Sequence, residues 1–585
     1  MKLILSLFTL CLFIPVVFGL PGTDWLLLAP RTLLQWFFSV HAPQVTIPQG
    51  KIIGSVLENP SYPQPIEAFR GIPYALPPTG DLRFKPAVPV GKSMDIVDAR
   101  DFGSRCPGKQ LVQIPGSDIR ESEDCLTINI FRPKFHHSQK LPVALYVHGG
   151  AFNRGAAAMH NTASMVAWSE EPFIGVSFNY RIGALGFLPS RQSADEGILN
   201  LGLKDQILAM QWVHDNIHYF GGDPDQVTLF GLSAGAHSIG HHLMNYNLTS
   251  PSLFHRVIIE SGAPTSRAVH PYNAPIHRTQ FNEFLLEAGC SSSFTTPEIF
   301  SCLRSQPEKT ITDAQTTIFS KYNPALTWAF QPVIDDEGGV IPRKPIDSWN
   351  LGLWNSGIPI MTGFSHNEGT MYVPSSMSKP DEFRRFFRTL IPLLNDSDLQ
   401  TIEELYPDPS TYPNSPYTDT RNLTAIQIGP QFKRVEAAYA HYAYVCPVRQ
   451  TAHFASSQTQ APVYVYHWAL NQTVKGGANH GDHIGYQTMD DDVLQYSDVQ
   501  RDVAETMHAY WTSFITMGDP NALKGRASDR PVWLEYRKAN IMVFGRGNDE
   551  RAGGGGVGVT AKMEQDEWSS EECPFWWEKT VLSEM

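Results

Sequence analysis

Hydrophobic and polar positions along the chain follow two alternating periods. Apolar runs of five or six residues recur at 143–147, 174–179, 227–232, 257–261, 358–363 and 463–468. Short runs with little polar alternation read as strands buried on both faces, the habit of a parallel sheet. Between them apolar positions return every three or four residues, which predicts helices over 203–217, 234–244, 278–288, 430–454 and 499–515. Residues 532–544 read as a late hairpin. Strands alternating with helices predict an α/β fold, with a central, mostly parallel, twisted sheet flanked by helices. Proline-rich stretches near 60–89 and 407–416, and a glycine-rich stretch at 551–558, read as loops. There is no internal repeat and no long low-complexity linker, so residues 20–585 are expected to form a single domain.

The first residues break this pattern. Lys2 precedes an apolar stretch interrupted by Pro15, and in Val17-Phe18-Gly19 short residues, Val17 and Gly19, stand at the -3 and -1 positions of a cleavage site. This predicts a signal peptide over 1–19 and a secreted, extracellular protein. Residues 25–40 are also apolar, but Pro30 and Arg31 interrupt them, and no stable membrane anchor is expected. Cys11 falls in the signal, and six cysteines remain: Cys106, Cys125, Cys290, Cys302, Cys446 and Cys573. An even number suits an oxidising compartment, and spacing alone does not choose their pairing. Sequons at Asn247, Asn395, Asn422 and Asn471 agree with export. The formal net charge is -13 and no Lys/Arg-rich run occurs, which argues against nucleic acid as a partner.

The chemistry is concentrated where the run 227–232 ends. Gly231-Leu232-Ser233-Ala234-Gly235 places a serine on a tight turn between a predicted strand and a predicted helix. Glycines two residues before and after the serine let strand and helix approach closely, and the turn presents the hydroxyl at the sheet edge. Serine needs a general base, usually a histidine oriented by a carboxylate. His480, in a glycine-rich loop after the run 463–468, is the best candidate, with His483 and His467 as rivals. Glu368 follows the run 358–363, and the competing acids are Asp335, Asp336 and Glu337. Backbone donors for an oxyanion are expected from Ala234 and from the turn His148-Gly149-Gly150-Ala151 after another strand. His237, His241 and His242 invite a metal reading, but no acid or cysteine completes a site, so no metal and no cofactor are expected.

These features, with Phe69-Arg-Gly-Ile-Pro-Tyr-Ala75, Glu123-Asp-Cys125-Leu-Thr-Ile-Asn129, Asn179-Tyr-Arg-Ile-Gly183 and Phe220-Gly-Gly-Asp-Pro224, occur in one order and spacing. The chain from about residue 49 onward resembles the type-B carboxylesterases of the cholinesterase-like family, especially their secreted fungal members. The resemblance implies an α/β-hydrolase fold and a serine carboxylic ester hydrolase acting on a small-molecule ester through an acyl-enzyme. It implies Ser233 as nucleophile, Glu368 as orienting acid, His480 as base, and Gly150, Ala151 and Ala234 as oxyanion donors. It further implies the pairs Cys106–Cys125, Cys290–Cys302 and Cys446–Cys573, and a substrate pocket including Phe152, Leu326 and Trp328. Two departures bear on substrate. Leu232 and His483 stand where family members commonly carry acids, and residues 107–124 contain no aromatic ring to bind a quaternary ammonium. A site less electronegative than a cholinesterase's is therefore expected, acting on neutral esters, among which a lactone or secondary-metabolite ester is allowed. The same loop is too short and polar for a large lid. Some relatives of this kind are inactive adhesion or binding proteins, the alternative reading.

Overall fold

The computed structural model describes residues 42–111, 116, 118–134, 139–245, 252–267, 269–419, 421–471, 477–547 and 558–583. The expected signal, the stretch 25–40, Asn247 and most of the glycine-rich 551–558 lie outside the described residues. The strands in chain order are β1 (Gln44–Ile47), β2 (Gly50–Ile53), β3 (Ser55–Leu57), β4 (Ile66–Pro73), β5 (Ile96–Asp98), β6 (Thr127–Pro133) and β7 (Leu141–Val147). They continue with β8 (Ile174–Phe178), β9 (Gly222–Leu232), β10 (Arg256–Glu260), β11 (Ile360–Ser365), β12 (Val463–Trp468), β13 (Asn540–Phe544) and β14 (Ala561–Gln565). Eleven of them form one sheet in the order β14-β13-β12-β11-β10-β9-β7-β8-β6-β4-β3. From β13 across to β8 every neighbouring pair is parallel. The edge pairs are antiparallel. This mostly parallel sheet flanked by helices is the α/β-hydrolase fold.

The apolar runs become strands because both of their faces are covered. β8, β11 and β12 are buried at every position. Helices Leu201–Asn216 and Asp498–Met517 stand close to the expected bounds, and Ala234–Met244 matches them. The expected helix over 430–454 runs from Phe432 to Gln458 with a π-type segment, His441–Val445, in its middle.

One expectation is overturned. Residues 532–544 are not a hairpin: only β13 is a strand, and its antiparallel partner β14 comes after the glycine-rich segment. Before β13 the chain makes a 3-10 turn at Tyr536–Lys538 and leaves it through Ala539 at φ 52°, which ends any extended run. The three-stranded sheet β1-β2-β5 was not expected at all.

The three disulfides pair as the resemblance implies: Cys106–Cys125, Cys290–Cys302 and Cys446–Cys573. The last spans 127 residues and fastens the C-terminal helix Cys573–Ser583 to the long helical stretch. Trp577 Nε1 donates to the Cys446 carbonyl at 2.7 Å, and Arg449 pairs with Asp566 at 2.8 Å nearby. Replacing both Cys446 and Cys573 with serine is expected to lower unfolding free energy by about 3–5 kcal/mol, from the loop entropy regained by the unfolded chain. Chemical denaturation of both forms, followed by tryptophan fluorescence, measures it; an unchanged midpoint would refute the prediction.

Candidate functional site

Ser233 stands between β9 and the helix Ala234–Met244 at φ 60°, ψ -123°. A non-glycine residue holds such a conformation only where its surroundings dictate it. Its N–H donates to the Glu260 carbonyl at the end of β10, 2.9 Å away, and its carbonyl accepts from His237 N–H at 2.9 Å. The flanking glycines are required by the neighbouring strand. A Cβ on Gly231 would lie 2.5 Å from the Val147 carbonyl oxygen, and one on Gly235 would collide with the same oxygen. β7 ends at Val147, so the turn His148-Gly149-Gly150-Ala151 begins beside the serine. A Cβ on Gly149 would sit 3.1 Å from the Ser233 Cβ.

That turn is wound through three successive residues of positive φ. Gly150, Ala151 and Phe152 have φ of 115°, 55° and 60°. Its carbonyls are tied down: His148 Nδ1 lies 2.9 Å from the Gly149 oxygen, and Asn153 and Arg154 N–H groups donate to the Gly150 oxygen at 3.1 Å. Asn153 Nδ2 and Gln331 Nε2 both donate to the Ala151 oxygen at 2.9 Å. Burial holds His148 down to about 4, so it is neutral and can donate from Nδ1. In a trans peptide each N–H points opposite to the carbonyl before it. The N–H groups of Gly150, Ala151 and Ala234 make no hydrogen bond to protein among the described residues. Such free donors can take an acceptor.

His480 and Glu368 meet across two loops. His480 Nδ1 lies 2.5 Å from Glu368 Oε2, and both side chains are buried. Glu368 Oε1 accepts from Ser365 N–H at 2.6 Å. The loops are sewn together just before these residues: Asn367 N–H donates to the Ala478 carbonyl at 2.7 Å, and Ala478 N–H to Asn367 Oδ1 at 3.1 Å. Asp482 accepts from Asn479 N–H and Nδ2 at 2.7 and 2.9 Å, closing the turn around His480. A Cβ on Gly481 would lie 3.1 Å from Leu232 Cδ2, so this turn rests on the elbow. His480 Nε2 is buried and has no hydrogen-bond partner. The rivals are elsewhere occupied. His467 lies parallel to His366, with Nε2 3.1 Å from His366 Nδ1, and Asp335 closes its own turn by accepting from Val340 and Ile341 N–H. Of the three helix histidines, His242 bonds Gln206 at 2.7 Å and His237 Nδ1 sits 3.1 Å from the Ala263 carbonyl, while His237 Nε2 and His241 Nδ1 have no hydrogen-bond partner. No group of three metal-ligating side chains occurs among the described residues.

Several residues at the site escaped sequence reasoning. Glu260 is paired in register with Leu232, and its carboxylate accepts from Trp511 Nε1 at 2.9 Å and stands 3.5 Å from His483 Nε2. Leu232 and His483 stand where the resemblance implies acids, and Glu260 on the next strand places one carboxylate beside them. An acidic residue ending an otherwise apolar strand was its only local signal. Tyr372 and Tyr444 flank the His480 ring, with centroids at 5.3 and 4.7 Å. Tyr444 lies in the π-type segment, a deviation that often re-aims side chains at functional sites. Trp328 contacts Tyr372 at 5.7 Å and Leu326 belongs to the same apolar cluster as Ala151, whereas Phe152 packs toward the sheet against Phe187 at 5.0 Å. Of the remaining sequons, Asn395 and Asn422 are exposed and Asn471 is half-buried.

Glu436 is a further buried acid here, accepting from Gly369 N–H at 3.0 Å and Asn367 Nδ2 at 3.3 Å. Burial, with a smaller push from Glu368, raises it from 4.5 to about 7. Between pH 4.5 and 7 the folded protein therefore holds a proton that the unfolded chain has lost, and this group lowers stability as pH rises through that window. Glu436→Gln removes the titration. Its stability relative to the parent is expected to improve by on the order of 3 kcal/mol between pH 5 and 8. Denaturation at both pH values tests this, and a constant difference would contradict it.

Residues 41–576 match the carboxylesterase family. The chain is 35% identical over 535 residues to secreted lipase 4 of Gibberella zeae, covering 90% of this chain and 91% of that protein. It is 30% identical to lipase 1 of Geotrichum candidum over 82% of this chain and 88% of that one. It is also 30% identical to the acetylcholinesterase of Electrophorus electricus, covering 89% and 88%. The solved structure of Aspergillus niger EstA superposes with a TM-score of 0.76 at 27% identity, covering 93% of this chain and 99% of that one.

Proposed function

Because the chain belongs to the carboxylesterase family and is a carboxylic ester hydrolase, we propose that it works by a Ser233–His480–Glu368 triad through an acyl-enzyme. The observation that carries this reading is the buried His480–Glu368 contact beside the elbow, with Nε2 of the imidazole left free. With Glu368 accepting the Nδ1 proton, Nε2 is the basic nitrogen. It takes the Ser233 proton as Oγ attacks the ester carbonyl. Negative charge then develops on the carbonyl oxygen, and the free amides of Gly150, Ala151 and Ala234 stabilise it without rearrangement. The imidazolium, held by Glu368, returns the proton to the departing alcohol. Water repeats the sequence and releases the acid. The substrates on this reading are esters without a cationic group, since no aromatic residue occurs at 107–124 to bind one.

Residues 20–585 act as one domain on this reading, exported by the signal at 1–19. The secreted names of its fungal relatives support export, and no helix among the described residues is long and apolar enough to cross a membrane. Treatment with a fluorophosphonate tests the site. A single adduct on the peptide carrying Ser233, with parallel loss of p-nitrophenyl butyrate hydrolysis, is the expected result. Turnover that survives complete labelling of Ser233, or a folded protein that neither labels nor turns over, would overturn it in favour of another nucleophile or a binding protein.

A further inference from the structure

Among the described residues, the buried arginines are matched to carboxylates or, for Arg530, to backbone carbonyls. Arg181 meets Asp205 at 2.7 Å, Arg83 meets Glu123 at 2.7 Å, and Arg449 meets Asp566 at 2.8 Å. Arg267, in the loop that follows β10 and beside the site, has no such partner. Its guanidinium carbon lies 4.0 Å from the centroid of Trp328, 5.2 Å from that of Tyr444 and 5.9 Å from that of Tyr372. One nitrogen, Nη2, bonds the Tyr444 hydroxyl. Nε and Nη1 are buried without a well-formed hydrogen bond, the Tyr439 hydroxyl being the polar neighbour at hand, and no carboxylate pairs with the group among the described residues. The residue as a whole keeps some exposure, as does Tyr372. Its backbone sits at φ 60°, in the region few non-glycine residues adopt.

Tyr372 and Tyr444 are the two rings that flank His480. The cation is therefore one aromatic ring away from the imidazole. Aromatic faces attract a guanidinium but accept few of its five N–H donors. A charge desolvated this far, with donors left over, is incomplete without an acceptor. A second unpaired guanidinium, Arg154, follows the oxyanion turn: its Nε is buried and unpartnered, and it lies over Phe319, whose ring contacts Trp328 at 6.3 Å. Both cations thus border the aromatic cluster next to the site.

We propose that Arg267 is a specificity-determining residue that binds a carboxylate carried by the ester substrate, so that the preferred substrates are half-esters or other esters bearing an anionic group. This rests on the hydrolase reading above and narrows its substrate class. The neutral esters expected from the sequence become the slower, baseline substrates. A carboxylate would take the free Nε–H and Nη1–H donors in charge-assisted hydrogen bonds, while Trp328, Tyr372 and Tyr444 keep water from competing. A cationic ester would meet like charge.

The test compares matched esters with the wild type, Arg267→Gln and Arg267→Lys. p-Nitrophenyl hydrogen glutarate against p-nitrophenyl pentanoate places the carboxylate on the acyl side. 3-Butyryloxypropanoate against propyl butyrate places it on the alcohol side. For one of these pairs the ratio of kcat/KM, anionic over neutral, is expected to fall roughly tenfold to a hundredfold in Arg267→Gln and to recover partly in Arg267→Lys. Neutral-ester turnover of each variant is the reference against which its ratio is read. The responding pair identifies the side. A ratio unchanged in both pairs, with folded variants, would overturn the proposal and leave Arg267 as packing. If Arg267→Gln does not fold, glutarate inhibition of the wild type decides: competitive inhibition that uncharged glutaramide does not reproduce supports the site, and equal weakness of both refutes it. The hydrolase reading fails separately, when Ser233→Ala leaves neutral-ester turnover intact.

Discussion

Ser233→Ala is expected to lower kcat on p-nitrophenyl butyrate by about 10⁴–10⁶-fold with little change in KM. The alanine keeps the Cβ that packs against Gly149, and it occupies the same φ 60° backbone as serine, so the elbow and its neighbours stay in place. What disappears is the only oxygen that the proposed route acylates. His480 and Glu368 remain paired, yet they have no hydroxyl to deprotonate. The free amides of Gly150, Ala151 and Ala234 still face an ester carbonyl, so a residual rate about a thousandfold above water is expected from them. Stopped assays at high enzyme concentration, with active-site titration to exclude contaminating wild type, measure the drop. A loss of less than tenfold would remove Ser233 from the mechanism. Unchanged fluorophosphonate labelling of the variant would do the same.

The parts of this site that could be read from the sequence are those fixed by local sterics. Gly231 and Gly235 are glycines because the Val147 carbonyl leaves no room for a Cβ, and that demand is written beside the serine itself. The strands were legible because burial on both faces strips them of polar residues over their whole length. The choice of His480 over His483 was not legible in this way. The glycine-rich loop favoured His480 and the family resemblance strengthened it, whereas its meeting with Glu368 depends on Asn367 and Ala478 joining two loops more than a hundred residues apart. The error at 532–544 has the same origin. Periodicity identifies a strand but not its partner, and the partner of β13 lies beyond the glycine-rich segment. Glu260 at a strand end and Arg267 in the loop after it read as ordinary charged residues. Their burial is assembled by Trp328, Tyr372 and Tyr444 in one case and by Trp511 and His483 in the other. The placing of Tyr444 further depends on the π-type segment, which leaves no mark on the hydrophobic period.

Glu368→Gln tests a subtler requirement and is expected to be nearly as damaging, with kcat falling roughly 10³–10⁴-fold. The two carboxylate oxygens of Glu368 have fixed duties: Oε1 accepts the Ser365 N–H at 2.6 Å, and Oε2 faces His480 Nδ1. A glutamine has one acceptor and one donor end. The Ser365 amide can only donate, so the glutamine oxygen must turn to it. The NH₂ group is then aimed at His480 Nδ1, which must accept. That moves the ring proton to Nε2, the nitrogen that should take the Ser233 proton, and the base is lost although every side chain is still in its place. The opposite amide orientation sets N–H against N–H at Ser365 within a fully buried pocket, and the imidazolium formed later would lack its counter-charge in either case. The variant should fold, because it is nearly isosteric, and its KM should stay close to the parent's. Removing the carboxylate by Glu368→Ala frees the imidazole to choose its tautomer, so a smaller loss than in Glu368→Gln is the signature of the proton misplaced by the amide. Steady-state kinetics of the two variants, with thermal melts as a control on folding, settle the point. A Glu368→Gln enzyme within tenfold of the parent would show that the buried carboxylate does not govern the His480 proton.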